Sequence, residues 1–210
     1  MKFDANFHGN GYLELNRSQF DENVEQKYSF AAMVFSTSDP NGLLLWWGQQ
    51  KGEAYNGQDF MALAIVDGIV EFAFRLNGEE AVLRNPDKRV DDGRRHIVLI
   101  KRTDNTAILE LDHVLYADET RPTGKNTMTL PGHVFIGKHY KVKADFEKVL
   151  KTPFVFFSYS GGAPDLDSFT GGRYKNHFNG CVRVVEGESS GIIELGKVAV
   201  SGLNVDTCPE

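Results

Sequence analysis

The chain has 210 residues, 41% of them hydrophobic and 11% aromatic, with a formal net charge of -6. That length and composition support a core of ordinary size and suit an all-β sandwich used as one domain. The acidic balance argues against a nucleic-acid or anionic-membrane partner, because phosphate binding needs concentrated positive charge, and no apolar run reaches the roughly 20 residues of a membrane-spanning helix.

From the start of the chain, Met1-Lys2-Phe3-Asp4-Ala5 lacks the apolar stretch of a signal peptide. The expectation is a cytosolic protein or a piece of a longer secreted one. Asn16-Arg17-Ser18 is the single Asn-x-Ser/Thr sequon and makes Asn16 a candidate glycosylation site. Turn dipeptides then recur at short intervals: Asn10-Gly11, Asn41-Gly42, Asn56-Gly57, Asp67-Gly68, Asn77-Gly78, Asp92-Gly93, Pro131-Gly132, Gly171-Gly172 and Asn179-Gly180. Between them lie β-rich runs at Gly11–Leu15, Tyr28–Ser36, Leu43–Trp47, His96–Lys101, Ala107–Leu111, His133–Ile136 and Val182–Val185. Short strands and frequent turns predict an antiparallel sandwich with little helix, the one helical stripe falling near Ala144–Leu150.

The clearest unit is Asp59–Phe74, two strands joined at Asp67-Gly68. Its first arm is apolar at nearly every position and predicts burial on both faces. Its second arm alternates, with Val70, Phe72 and Phe74 on one face and Ile69, Glu71 and Ala73 on the other, which predicts half-burial.

Chemistry-bearing residues are sparse. Glu110 and Asp112 share a strand face, as the acids of a glycoside-hydrolysing jelly roll do; the third acid of that pattern would fall on Leu115. A strand running into the Asp112-His113 turn explains the pair better. The histidines at 8, 96, 113, 133, 139 and 177 show no zinc-ligand spacing. Arg94, Arg95, Lys101 and Arg102 flank one strand, and Lys138, His139, Lys141, Lys143, Lys148 and Lys151 enrich another stretch. These form candidate patches for a sulfated glycan or solvated strand edges. Cys181 and Cys208 are either a bridge over a 27-residue separation, stabilising by roughly 3 to 4 kcal/mol, or two buried thiols.

The order Gly42-Leu43-Leu44-Leu45-Trp46, Asp59-Phe60 to Asp67-Gly68, Asp91-Asp92-Gly93-Arg94-Arg95-His96, Phe135-Ile136-Gly137, Phe178-Asn179-Gly180-Cys181 and Cys208 resembles the laminin G-like domain. Phe7-His8-Gly9-Asn10-Gly11-Tyr12, Gly162-Ala163-Pro164-Asp165 and Thr170-Gly171-Gly172-Arg173-Tyr174 narrow the resemblance to modules of basement-membrane type. It implies one domain over 1–210, a two-sheet antiparallel jelly-roll β-sandwich of concanavalin-like form, a Cys181–Cys208 disulfide and a secreted, extracellular-matrix location. It further implies a non-catalytic adhesion and scaffold role, with integrin-type cell-surface receptors, other matrix proteins and sulfated glycans as partners. A carbohydrate-binding or carbohydrate-cleaving jelly roll is the alternative. Two departures stand out. Arg95 replaces the usual Trp, leaving a core aromatic missing or replaced, and residues 138–161 interrupt a run the family makes directly. The codons available at the ends of that insertion fit splice sites, so it reads as a retained intron or optional exon.

Carried over position by position, the resemblance implies a calcium site at the sandwich rim. Its ligands would be the Asp59 side chain, the Leu76 and Thr127 carbonyls, and Thr129 where the family has Asn or Asp. One charged ligand makes the expected site weak. Removing Asp59 is expected to abolish calcium stabilisation at little cost to the metal-free protein.

Overall fold

In the computed structural model, Asp67 and Gly68 both adopt left-handed φ, 53° and 80°. Strands pair in register across them, Val66 opposite Ile69 and Phe60 opposite Arg75. The structure describes residues 4–48, 54–120, 126–137, 166 and 170–209. The strands are β1 (Ala5–Leu15), β2 (Glu25–Gln26), β3 (Tyr28–Ser36), β4 (Gly42–Trp47), β5 (Phe60–Val66), β6 (Ile69–Leu76), β7 (Glu79–Arg89) and β8 (His96–Thr103). They continue with β9 (Thr106–Leu111), β10 (Val114–Thr120), β11 (Met128–Thr129), β12 (Val134–Gly137), β13 (Asn179–Gly187), β14 (Gly191–Ile192) and β15 (Ala199–Asp206).

Strand β1 serves both layers of an antiparallel sandwich. One layer runs β10-β9-β8-β3-β13-β1 and the other β1-β12-β4-β5-β6-β7, while β15 follows β1 and β11 pairs with β2. The first part of β1 pairs with β13, Ala5 opposite Val182; the last part pairs with β12, Leu15 opposite Val134. The chain changes layer at Gly9–Gly11. Gly9 takes φ 71°, and a Cβ on Gly11 would collide with the Asn204 carbonyl, so both positions need glycine.

Alternation decides what faces the interior. In β3, Ala31, Met33 and Phe35 enter the main core, as do Val98 and Ile100 of β8. Val70, Phe72 and Phe74 enter it from the hairpin. Strand β4 is buried at every position and β5 at all but Val66, which matches their unbroken apolar sequence. A second cluster covers the outer face of this layer: Trp46, Phe60, Ala62, Ala73, Phe135, Leu166 and Tyr174. Trp46 stacks on Phe60 with ring centroids 4.8 Å apart.

Several expectations change here. The second arm of the hairpin is covered on both faces rather than one, because Tyr174 and Leu166 lie over Ala73 and Glu71 is itself buried. Arg95 is exposed at the turn before β8, so it takes no place in the core. A helical turn at Leu195–Val198 was not foreseen. The helical stripe near Ala144–Leu150 and the insertion at 138–161 lie outside the described residues. Cys181 and Cys208 form a disulfide with Cα atoms 5.7 Å apart, fastening the segment after β15 to β13.

Candidate functional site

Asp59 immediately precedes β5, and Thr129 ends β11 on the small β2–β11 ribbon. Sheet geometry brings them together. Asp59 Oδ2 accepts the Thr129 N–H at 3.0 Å, and Oδ1 accepts the Asn77 N–H at 3.0 Å from the β6–β7 turn. Asp59 is therefore a clamp between two loops distant in sequence, not a solvated strand start. Removing it would unpair two backbone donors, which argues against the small cost expected of that deletion.

The other proposed calcium ligands converge less well. The chain has no cis peptide bond among its described residues, and in a trans peptide the C=O points opposite to the following N–H. The Leu76 carbonyl therefore turns away from the carboxylate that the Asn77 N–H meets. Thr127 stands just before β11, and Thr129 reaches Asp59 through its backbone N–H. Among the described residues no group of three or more His, Cys, Asp or Glu is placed to hold a metal ion. A hard cation needs about six to eight oxygens; here the one carboxylate already serves two N–H donors and one carbonyl is averted. The set fits a resident calcium ion poorly.

The acid pair raised by the glycosidase comparison has another job. Asp112 Oδ1 accepts the Ile97 N–H at 2.9 Å, and its Oδ2 lies 2.9 Å from His96 Nδ1 and 3.3 Å from Lys88 Nζ. Asp92 Oδ1 approaches His96 Nε2 at 3.1 Å. The buried imidazole is thus held between two carboxylates. Burial alone would raise the Asp112 pKa, but the Ile97 N–H, His96 and Lys88 together hold it below the ordinary range. Asp92 is lowered chiefly by the Arg94 N–H and then by His96. Glu110 lies 3.9 Å from His113, so the two acids face different partners.

A Ser, Glu and His also meet, at the β1–β15 seam. Ser201 Oγ donates to Glu14 Oε2, and His133 Nδ1 lies 2.8 Å from Glu14 Oε1. Nucleophilic catalysis requires the histidine between hydroxyl and acid; here the buried glutamate is in the middle, which makes the cluster a staple between strands.

A fourth cluster left no signal in the sequence. Tyr174 Oη donates to Glu71 at 2.8 Å, and Arg173 Nη1 donates to Glu80 at 2.6 Å while lying over the Phe60 and Tyr174 rings at 5.6 and 5.7 Å. Burial and then the Glu71 charge push the Tyr174 hydroxyl far above its usual pKa. Glu71 occupies the outward position of an alternating strand, where sequence predicts solvent, but it is buried and meets Tyr174 and Arg173, which arrive from afar in the sequence.

Of the basic candidates, Arg94 and Arg95 are exposed, and Lys101 lies over the Tyr28 ring at 5.4 Å. Arg102 is fully buried and leaves the proposed glycan patch. Lys138, His139, Lys141, Lys143, Lys148 and Lys151 lie outside the described residues. Asn16 is exposed just after β1, and its side chain accepts the Ser18 N–H at 3.1 Å.

Residues 35–188 match the Laminin G domain family. The basement membrane proteoglycan of Caenorhabditis elegans is 30% identical over 208 residues, 98% of this chain and 5% of that protein. The basement membrane-specific heparan sulfate proteoglycan core protein of Mus musculus is 26% identical over 215 residues, 99% of this chain and 5% of that protein. Domains LG4-5 of the mouse laminin alpha1 chain share the fold with a TM-score of 0.70 at 16% identity, covering 99% of this chain and 47% of that one. The chain thus spans about 5% of the length of these two proteoglycans.

Proposed function

The chain belongs to the laminin G domain family, and from that premise we propose that it is a non-catalytic extracellular-matrix module for cell adhesion and basement-membrane assembly. The observation that carries this reading is similarity along nearly the whole chain to two basement-membrane proteoglycans. The Cys181–Cys208 disulfide supports it, since such bonds persist in oxidising, extracellular settings. Its partners are integrin-type receptors, other matrix proteins and sulfated glycans, the last engaging Arg94 and Arg95. Asn16 is accessible for glycosylation on the secreted form.

Calcium enters this reading only as a weak ligand that competes with the Asn77 and Thr129 N–H groups for Asp59. At a concentration equal to its dissociation constant, such a ligand stabilises by only about 0.4 kcal/mol. Attachment of cells to surfaces coated with the disulfide-intact chain, and its retention on a heparin column, test the partner classes. The reading fails if cells do not attach and neither matrix proteins nor heparin retain the chain. Release of sugar from glycan substrates would instead establish an enzyme.

A further inference from the structure

The rim that carries Thr127 and Thr129 rests on a buried cation. Arg102, on β8, is 0% exposed and among the largest fully buried side chains. Its Nη2 donates to the Gln26 carbonyl at 2.8 Å and to Ser29 Oγ at 3.2 Å. Its Nη1 donates to the Asp104 carbonyl and to the Asn126 carbonyl at 3.4 Å. Four oxygens from the β2–β3 region, the β8–β9 turn and the approach to β11 therefore surround one positive charge.

That is the oxygen environment a hard metal ion organises, built here around a guanidinium. The placement is specific to the ribbon. Gln26 pairs with Met128 and Glu25 with Thr129, so Arg102 holds both β2 and the entry to β11, while Asp59 holds Thr129 from the other side. Burial pulls the Arg102 pKa down to about 10, against the opposing pull of Asp104 and Asp59. The group stays charged at neutral pH.

We propose that Arg102 is the resident cation of this rim: it gathers the loop carbonyls as a metal ion would and makes the β2–β11 ribbon independent of metal. Matrix partners then meet a rim that is already ordered when no calcium is present. A planar fork with several N–H donors suits four divergent acceptors, and a lysine ammonium does not reproduce it.

The test uses the disulfide-intact chain and its thermal midpoint. The wild type is expected to melt within about 2 °C of the same temperature in chelator and in millimolar calcium. Arg102→Ala leaves the Gln26, Asp104 and Asn126 carbonyls around a vacated space, so its midpoint is expected to fall by roughly 10 °C. Guanidinium on the order of 10 mM should raise that midpoint by refilling the site, while leaving the wild type unmoved; potassium at equal strength should not. A wild-type midpoint that rises by more than about 2 °C with calcium overturns the proposal. So does an Arg102→Ala protein that guanidinium fails to stabilise. Where Arg102→Ala does not fold, Arg102→Lys carries the test through amide exchange: faster exchange confined to the β2–β11 ribbon supports the proposal, and unchanged protection there refutes it.

Discussion

The two layers of the sandwich use apolar residues differently. The β4–β5–β6 layer is closed on both faces, with Trp46, Phe60, Ala62 and Ala73 lying under Leu166 and Tyr174. The β3–β8–β9 layer is closed on one: its outward positions Tyr28, Phe30, Ala32 and Val34 are half-buried, and Ile97 is 38% exposed. Unbroken apolar sequence in β4 and β5 went with a covering segment and alternation in β3 with an open face, while β6 alternates and is covered all the same. A side chain's energetic weight should therefore depend on which layer it occupies more than on its size.

The largest test of that contrast is Trp46→Ala. It empties the covered face and is expected to cost about 3 to 5 kcal/mol in urea unfolding, whereas Phe30→Ala, on the open face, should cost less than about 1 kcal/mol. Equal losses would dissolve the distinction. Asp59→Ala comes next, at about 1 to 3 kcal/mol, because two backbone donors at the edge of the covered layer lose their acceptor. Tyr174→Phe keeps the covering ring but strips a hydrogen bond from Glu71, and a loss of about 1 to 2 kcal/mol is expected.

On the open layer the corresponding probe is pH. Asp112 has a folded pKa below its unfolded value of about 3.9. Its contribution is therefore present above that value and disappears as pH falls through the folded pKa. Melting midpoints of Asp112→Asn should decline less steeply than wild type below about pH 4; parallel curves would place the acid sensitivity elsewhere. Smallest of all, Ile97→Thr should change stability by no more than about 0.5 kcal/mol.

The sequence disclosed the interior strands well and the borders poorly. Tyr28–Ser36 coincides with β3, and the Asp67-Gly68 hairpin stands where its turn chemistry put it. Among the described residues, the longer strands that the sequence does not predict, β7, β10 and β15, are all edges. An edge has a neighbour on one side only, so its pattern is diluted. Strand β7 carries Pro86 where its pairing slips between Ile69 and Glu71, a tolerance confined to edges and bulges. At the site, the Asp59–Thr129 encounter was legible through family resemblance. The Arg102 nest and the Glu71–Tyr174 contact were not, because each depends on a segment remote in sequence delivering its burial.

The shared strand β1 also sets how the domain responds to pulling. Asn6 lies opposite both Cys181 and Asp206, so the start of β1 and the disulfide-anchored end of the chain sit side by side. Tension applied at these two points opens β1 from its neighbours one hydrogen bond at a time, like a zipper, instead of shearing the whole row at once. The residues between Cys181 and Cys208, 27 positions apart, stay within a closed covalent loop and add nothing to the extension. In a matrix under load, such a domain would yield early at one corner and lengthen by less than its contour.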